Sequence, residues 1–353
     1  MAKSDFSGIA LHIGKNDARL INQALNDLEF IKQVRTIRNA SLNGTGLQKM
    51  TVAKGIMPLD LAVEQREGTQ RSFSGRKLMV YEGMKIIDII PEEAMATWMS
   101  DMLVPGAVEI PFAQWVWEQE FNKIKSEIND NIYLSDYKGD AATWASGTVY
   151  TGGAAWVKFG DYGNIYKCVT TTVAGESPLT TPAKWLLVNE LVISKGWGKI
   201  IADEITASAL TPLTTGALSS TNALDKVEIM YNGMTVAHRK LGGVIYLSHA
   251  NFRNYLIHER ATYGSQATPD MANGVKTVYG DAKWVIQPAT WMGTSGRVIA
   301  TQKDNLVFGT NMETDPGKVA KTIQTLHGYR SVVKWYQGCE IADIETLYVN
   351  DQA

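Results

Sequence analysis

Five histidines (His12, His238, His249, His258 and His327) and two cysteines (Cys168 and Cys339) are the side chains here best suited to ligate a metal or to act as base and nucleophile. Their spacing supports neither use. No two histidines stand at i, i+4, and none falls at ligand distance from a cysteine, so they read as scattered surface or core residues. No GxSxG elbow, P-loop or GxGxxG turn is present. The pairs Gly152-Gly153 and Gly242-Gly243 read as turns. Glu92-Glu93 could share acid-base work. Their place just after Pro91, at the positive end of an expected helix, is reason enough for them. The expectation is a protein with no catalytic residue, no metal and no cofactor.

Two groups of residues suited to binding remain. Trp144, Tyr150, Trp156, Tyr166 and Trp185 fall within a Gly-, Thr- and Pro-rich stretch from Trp144 to Val188. Arg66, Glu67, Arg71, Phe73 and Arg76 fall in a charged polar run that ends at Lys77. Aromatic rings can stack on sugars or build a small core; a charged tip can contact another surface.

The elements that must position these groups follow from periodicity. Asn16 or Asp17 caps an expected helix with Leu20, Ile21, Leu25, Leu28 and Ile31 on one stripe. Short alternating runs, Leu59 to Val63 and Leu78 to Tyr81, flank the charged run and predict a long hairpin over Met50 to Ile90. Such a two-stranded ribbon persists in water only by lying against something else, its own sheet included. A helix follows from Pro91 through Met99. A longer one runs from near Pro111 to Ile132, with Trp117, Phe121, Ile124, Ile128 and Ile132 at intervals of three and four. At 1.5 Å per residue it spans about 33 Å.

The text from Trp144 to Val188 predicts short strands at Ala155 to Lys158 and Asn164 to Val169, a small β module inserted into a larger domain. Helical text resumes from Leu191 to Ser208 and again near Asn222, with Leu224, Val227 and Tyr231 on one face. The last third is α+β. Gly243 to Leu247 reads as a buried strand, and Ser248 as the cap of a helix bearing Phe252, Tyr255 and Leu256. Strands follow at Trp284 to Ile286, Val298 to Ala300 and Leu306 to Phe308, and alternation returns from Arg330 to Val349.

Composition bounds the rest. With 353 residues, 45% of them hydrophobic, the chain can bury a sizeable core in two or three units. Lys+Arg 34 against Asp+Glu 36 leaves a formal charge of -2, so no basic excess drives nucleic-acid binding. Met1 to Gly14 fits neither a secretory signal nor a transit peptide, and no run approaches a membrane span. Two cysteines make no disulfide framework; two free thiols are expected.

The order of these parts, arm, long charged-tip hairpin, long helix and then an α+β domain ending in extended strands, resembles the Hong Kong 97 capsid fold of tailed bacteriophages. Val244 to Ser248 with Phe252 and Tyr255 is similar to the strand and helix of the axial (A) domain in that family. Val298 to Thr301, Asp304 to Gly309, and Val332 to Gly338 with Ile341 resemble its C-terminal half. The resemblance extends to crAss-like or other Bacteroidetes-infecting phages as a subfamily. It implies an N-terminal arm over 1–45, an E-loop hairpin over 46–90 and a peripheral (P) domain with spine helix over 91–143. It further implies a β insertion over 144–189, a return to the P-domain over 190–225, an A-domain over 226–330 and C-terminal strands over 331–353. The pattern Trp144, Tyr150, Val157, Tyr166, Trp185 resembles small chitin-binding-type carbohydrate modules. Gly153-Ala154-Ala155 stands where such modules carry an acidic residue, which weakens sugar binding more than fold.

On this resemblance the protein is expected to be a major capsid protein and not an enzyme. It would self-assemble in the host cytoplasm into the icosahedral head of the virion, with Arg66, Glu67, Arg71, Phe73 and Arg76 in intersubunit contact. Expected partners are its own copies, a portal, separate scaffolding or decoration proteins, and weakly contacted packaged dsDNA, with no membrane. No cleavable scaffolding segment is expected before the arm. Removing Gln65 to Arg76 is expected to leave a folded subunit that cannot close shells. A glycan-binding surface protein, and a tail or baseplate component, are the competing functions.

Overall fold

Two five-stranded sheets contribute to one core that holds most of the buried aromatic side chains. The computed structural model describes residues 28–52, 71–90, 112–161, 163–264, 276–278, 281–310, 319–324 and 329–352. In the first sheet β1 (Arg35–Ile37) runs parallel to β12 (Leu306–Gly309), which pairs antiparallel with the long β14 (Tyr329–Ile341). Strands β13 (Val319–Gln324) and β4 (Tyr81–Ile89) flank the first half of β14, both antiparallel. Alternation explains β14: Val333, Trp335, Gln337, Cys339 and Ile341 are buried, while Arg330 and Lys334 on the other face ion-pair with Asp88 and Glu82 of β4 at 2.6 and 2.8 Å.

The second sheet has the order β15 (Tyr348–Val349), β11 (Val298–Thr301), β8 (Gly243–Ser248), β10 (Asp281–Ala289), β9 (Lys276–Val278). Strand β8 lies at its centre with β10 parallel beside it, and so reads as an unbroken apolar run buried on both faces. One face, with Ile245, Leu247, Trp284 and Ile286, packs on α3 (Ala223–Gly233), α4 (Val236–Leu241) and α5 (His249–Tyr263). The other sends Val244, Tyr246 and Ile299 into the main core with Trp197, Trp291 and Phe308.

Helix α1 (Phe112–Asn131) buries Trp117, Phe121, Ile124 and Ile128, the stripe expected from the sequence. Helix α2 is shorter than expected. It occupies Trp197–Thr206, not Leu191 to Ser208, because Gly196 is pressed against the end of α1: a Cβ there would lie 2.2 Å from the Ile132 carbonyl oxygen. Ser248 takes the N-cap position of α5, but its side chain makes no capping hydrogen bond.

Of the expected arm over 1–45, residues 28–45 are described, and Phe30 and β1 pack on the body. Phe30 is fully buried, edge-on to Trp197 and Phe308, and β1 completes the first sheet. The Gln33 side chain donates to the Pro288 carbonyl and accepts from Trp291, while Tyr246 donates to the Gln33 carbonyl at 2.6 Å. The stripe Leu20 to Ile31 therefore ends differently than read: Leu28 and Phe30 are core residues around a short 3-10 turn, Glu29–Lys32. The expected helix at Asn16 or Asp17, the strand Leu59 to Val63, the helix from Pro91 and the pair Arg66 and Glu67 lie outside the described residues.

Candidate functional site: a ribbon and an aromatic β unit

A two-stranded ribbon is formed by β2 (Thr45–Val52) and β3 (Arg71–Leu78), antiparallel with Thr45 opposite Leu78 and Val52 opposite Arg71. The expected run Leu78 to Tyr81 is not one strand. The chain leaves the ribbon at Leu78 and enters the first sheet at Tyr81, crossing Gly338 of β14 so closely that a Cβ there would lie 2.0 Å from the Met79 carbonyl oxygen. The stretch Arg71 to Arg76, expected as part of a loop tip, is strand. Ser72, Ser74 and Gly75 have low β propensity, and cross-strand pairing overrides it.

The ribbon has two unlike faces. Leu47 and Leu78 point inward and are buried with Val307 and Val80. On that face Arg76 reaches Glu204 at 2.7 Å and Glu340 at 2.9 Å, and Lys49 reaches Asp343 at 2.8 Å and Glu345 at 2.6 Å. Arg76 is thus held within its own chain. The opposite face carries Met50 directly across from Phe73, with Val52 and Arg71 beyond them. Phe73 is 74% exposed and Met50 54%. A deletion testing the ribbon must therefore spare Arg76, whose loss would also free Glu204 and Glu340.

The small β unit is a three-stranded antiparallel sheet of β5 (Trp156–Phe159), β6 (Asn164–Cys168) and β7 (Trp185–Leu187). Its ends meet. The Asp136 N–H donates to the Leu191 carbonyl at 2.7 Å, the Ser135 hydroxyl to the Ser194 carbonyl at 2.6 Å, and the Gly196 N–H to the Ser135 carbonyl at 2.7 Å.

The five aromatics grouped by sequence divide between the two faces of this sheet. Tyr166 and Trp185 share one face with Val157 and Cys168, where Trp144 and Tyr150 close over them. Tyr150 meets Trp185 edge-on at 5.4 Å, and the Trp144 indole donates to the Glu176 carbonyl. Trp156 lies on the other face against Ile165, Val188 and Val192, with the Lys138 and Lys167 ammoniums 5.6 and 5.3 Å from its ring. Alternation along β5 separates Trp156 from the other four, and a periodicity of two over Ala155 to Phe159 was the available signal.

The Glu176 carboxylate accepts from Lys184 at 2.7 Å and from the Val173 N–H at 2.7 Å, which holds its pKa below the ordinary glutamate value. Such a depressed group contributes stability at and above the ordinary value and loses it as pH falls through the folded one. Titrating Trp144 and Trp185 fluorescence should reveal an acid-side loosening of the unit that Glu176→Gln removes; an unchanged titration would sink the assignment.

Both thiols are free and buried, and burial pushes each pKa up, Cys339 strongly, which keeps them as neutral thiols. Among the described residues no group of three or more His, Cys, Asp or Glu side chains is placed to hold a metal ion, and no helix is long and apolar enough to cross a membrane.

No protein-family model and no curated protein matches the sequence. Solved structures do. A chain of the satellite phage P4 procapsid, solved with its size determination (Sid) protein, is similar over 99% of this chain and 97% of that one, at 8% identity and a TM-score of 0.53. The capsid of Myoviridae phage XM1 is matched over 92% of this chain and 91% of that one, at 10% identity and a TM-score of 0.46. The capsid of an empty GTA particle is matched over 92% and 89%, at 10% identity and 0.45. The chain has an α+β fold of the Hong Kong 97 phage-capsid type, on the strength of the P4 similarity across nearly its whole length.

Proposed function

We propose that this protein is the major capsid protein of a tailed bacteriophage, a structural subunit that assembles with its own copies into an icosahedral head around the DNA genome. The observation that carries this is a near full-length fold match to a procapsid chain. The ribbon adds to it: one face is pinned by ion pairs and the other presents Met50, Val52 and Phe73 to solvent. In a shell that face lies over a neighbouring copy, a heterologous contact that closes by symmetry. The virion is then its location, reached by assembly in the host cytoplasm, and portal, scaffolding or decoration proteins are its further partners. Packaged DNA would be contacted weakly, given a formal charge of -2. A structural role needs no catalytic residue. Affiliation with crAss-like phages has the sequence resemblance as its support.

We read 144–189 as an inserted unit at the outer surface whose aromatics mainly build its own core, since four of the five pack together. Their division between two faces supports this reading over a single five-aromatic sugar platform. Electron microscopy of the purified protein tests the main reading: closed polyhedral shells are expected, whereas tubes, rings or dispersed monomers would count against it. Glycan-array binding lost on Trp156→Ala, in a subunit that stays folded, would instead favour the glycan function.

A further inference from the structure

The sheet of the small β unit has two edges in unlike states. The outer side of β5 is covered by the chain on its way in: the Lys158 N–H donates to the Ala142 carbonyl and the Trp144 N–H to the Lys158 carbonyl, both at 2.9 Å. The outer side of β7 is bare. Between β6 and β7 the Val188 N–H donates to the Ile165 carbonyl at 3.0 Å and the Val169 N–H to the Lys184 carbonyl at 2.8 Å, which fixes the phase of the ladder. At the alternate positions, Trp185 and Leu187, the backbone groups therefore point away from β6. The Trp185 N–H turns back to the Pro182 carbonyl. The Leu187 N–H and carbonyl meet no partner among the described residues.

The side chains make that edge adhesive. Strand β7 reads Trp-Leu-Leu, without a charge, and Leu186 and Leu187 are 53% and 48% exposed on opposite faces of the sheet. Open edges are ordinarily guarded by a charge, a proline or a bulge, and β7 contains none of them. The lysine just before it is occupied, since the Lys184 ammonium lies 2.7 Å from the Glu176 carboxylate. No charge on the edge selects a foreign partner. Two identical neutral strands, in contrast, can pair antiparallel about a two-fold axis, each Leu187 N–H donating to the other Leu187 carbonyl.

We propose that β7 pairs with β7 of a second copy, so that two three-stranded sheets become one continuous sheet across a two-fold axis at Leu187. This inference rests on the assembly reading and goes beyond it, because it turns the inserted unit into a tie between subunits. Its size decides when it forms. A short strand edge with two half-exposed leucines per copy falls well short of the roughly 1,200 Å² that a stable complex buries, so the contact does not hold free subunits together. In a shell the two units are already side by side, and the high effective concentration makes the same weak contact form. It therefore reinforces particles once they are closed.

The test uses the full chain in purified particles. Both native cysteines are buried, so Leu187→Cys adds the one exposed thiol, and residues facing each other in such a pair have Cα atoms about 5.5 Å apart, within the span of a disulfide. Treatment with diamide should give a cross-linked dimer on a non-reducing gel. Val173→Cys, at a position 62% exposed on the same unit but off the β7 edge, should give none. Leu187→Lys should speed the loss of subunits from particles about tenfold, because like charges then face each other, while the denaturation midpoint of the free subunit stays unchanged. No dimer from Leu187→Cys particles, as much dimer from Val173→Cys particles, or unaltered release from Leu187→Lys particles overturns the inference. If the unaltered protein forms no particles, the assembly reading fails and takes this inference with it.

Discussion

Gly338→Ala should destabilise the subunit by about 3 kcal/mol, because the new methyl would sit far inside contact distance of backbone rather than of a side chain that can rotate away. The Cβ would meet the Met79 carbonyl oxygen at 2.0 Å and the Val80 Cα at 3.0 Å. Relief requires prising the crossing between ribbon and first sheet away from β14, which also disturbs the pairing of Gly338 with Gly309. Gly46→Ala, in the same ribbon, is the control. A Cβ there meets nothing within 4 Å, and the change should be close to neutral. Denaturant midpoints at unchanged slope compare the two. Equal midpoints would mean that the crossing has slack.

Lys276→Met should cost about 3–5 kcal/mol, the range for leaving one member of a buried ion pair alone. The Lys276 ammonium and the Glu259 carboxylate are 2.5 Å apart, with side chains only 6% and 11% exposed. The pair ties α5 to β9 at the edge of the second sheet, beside Tyr255, whose pKa burial raises with Glu259 contributing. Replacing both partners, Lys276→Met with Glu259→Leu, should cost less than the sum of the single changes, since neither member of the pair is then left without the other. A double-mutant cycle with additive energies would contradict this account.

Much of the architecture was legible as pattern. The stripe from Trp117 to Ile128 is the expected helix, the apolar run Val244 to Leu247 the expected buried strand, and the alternation after Arg330 a strand as far as Ile341, because burial imposes a pattern on each. The ribbon was legible as a hairpin but not in register. Serine, glycine and arginine in β3 carry no strand signal, and pairing with Thr45–Val52 is a long-range event that local text does not encode. The start of α2 was hidden for a similar reason. Gly196 matters through its contact with Ile132 and Tyr133, more than sixty residues earlier in the chain.

The candidate contacts were harder to read. Arg71, Phe73 and Arg76 look alike as members of a polar run, yet strand alternation sends Phe73 and Arg71 outward and Arg76 into ion pairs with Glu204 and Glu340. Leu187 carried no sequence signal of an open edge, since which edge of the small sheet is covered depends on how the chain enters the small unit and returns from it.

That return has a consequence for protein engineering and for descent. Because the backbone departs at Ser135 and Asp136 and comes back beside them at Leu191 and Ser194, the segment between enters and leaves the scaffold at one place. A foreign polypeptide with adjacent termini, spliced between Lys138 and Val188, would meet the scaffold through the same two crossings as the native unit, while giving up the packing of Trp156 and Ile165 on Val188 and Val192. The same adjacency of entry and exit is what a single recombination event needs if it is to exchange one such segment for another while leaving the chain path on either side in place.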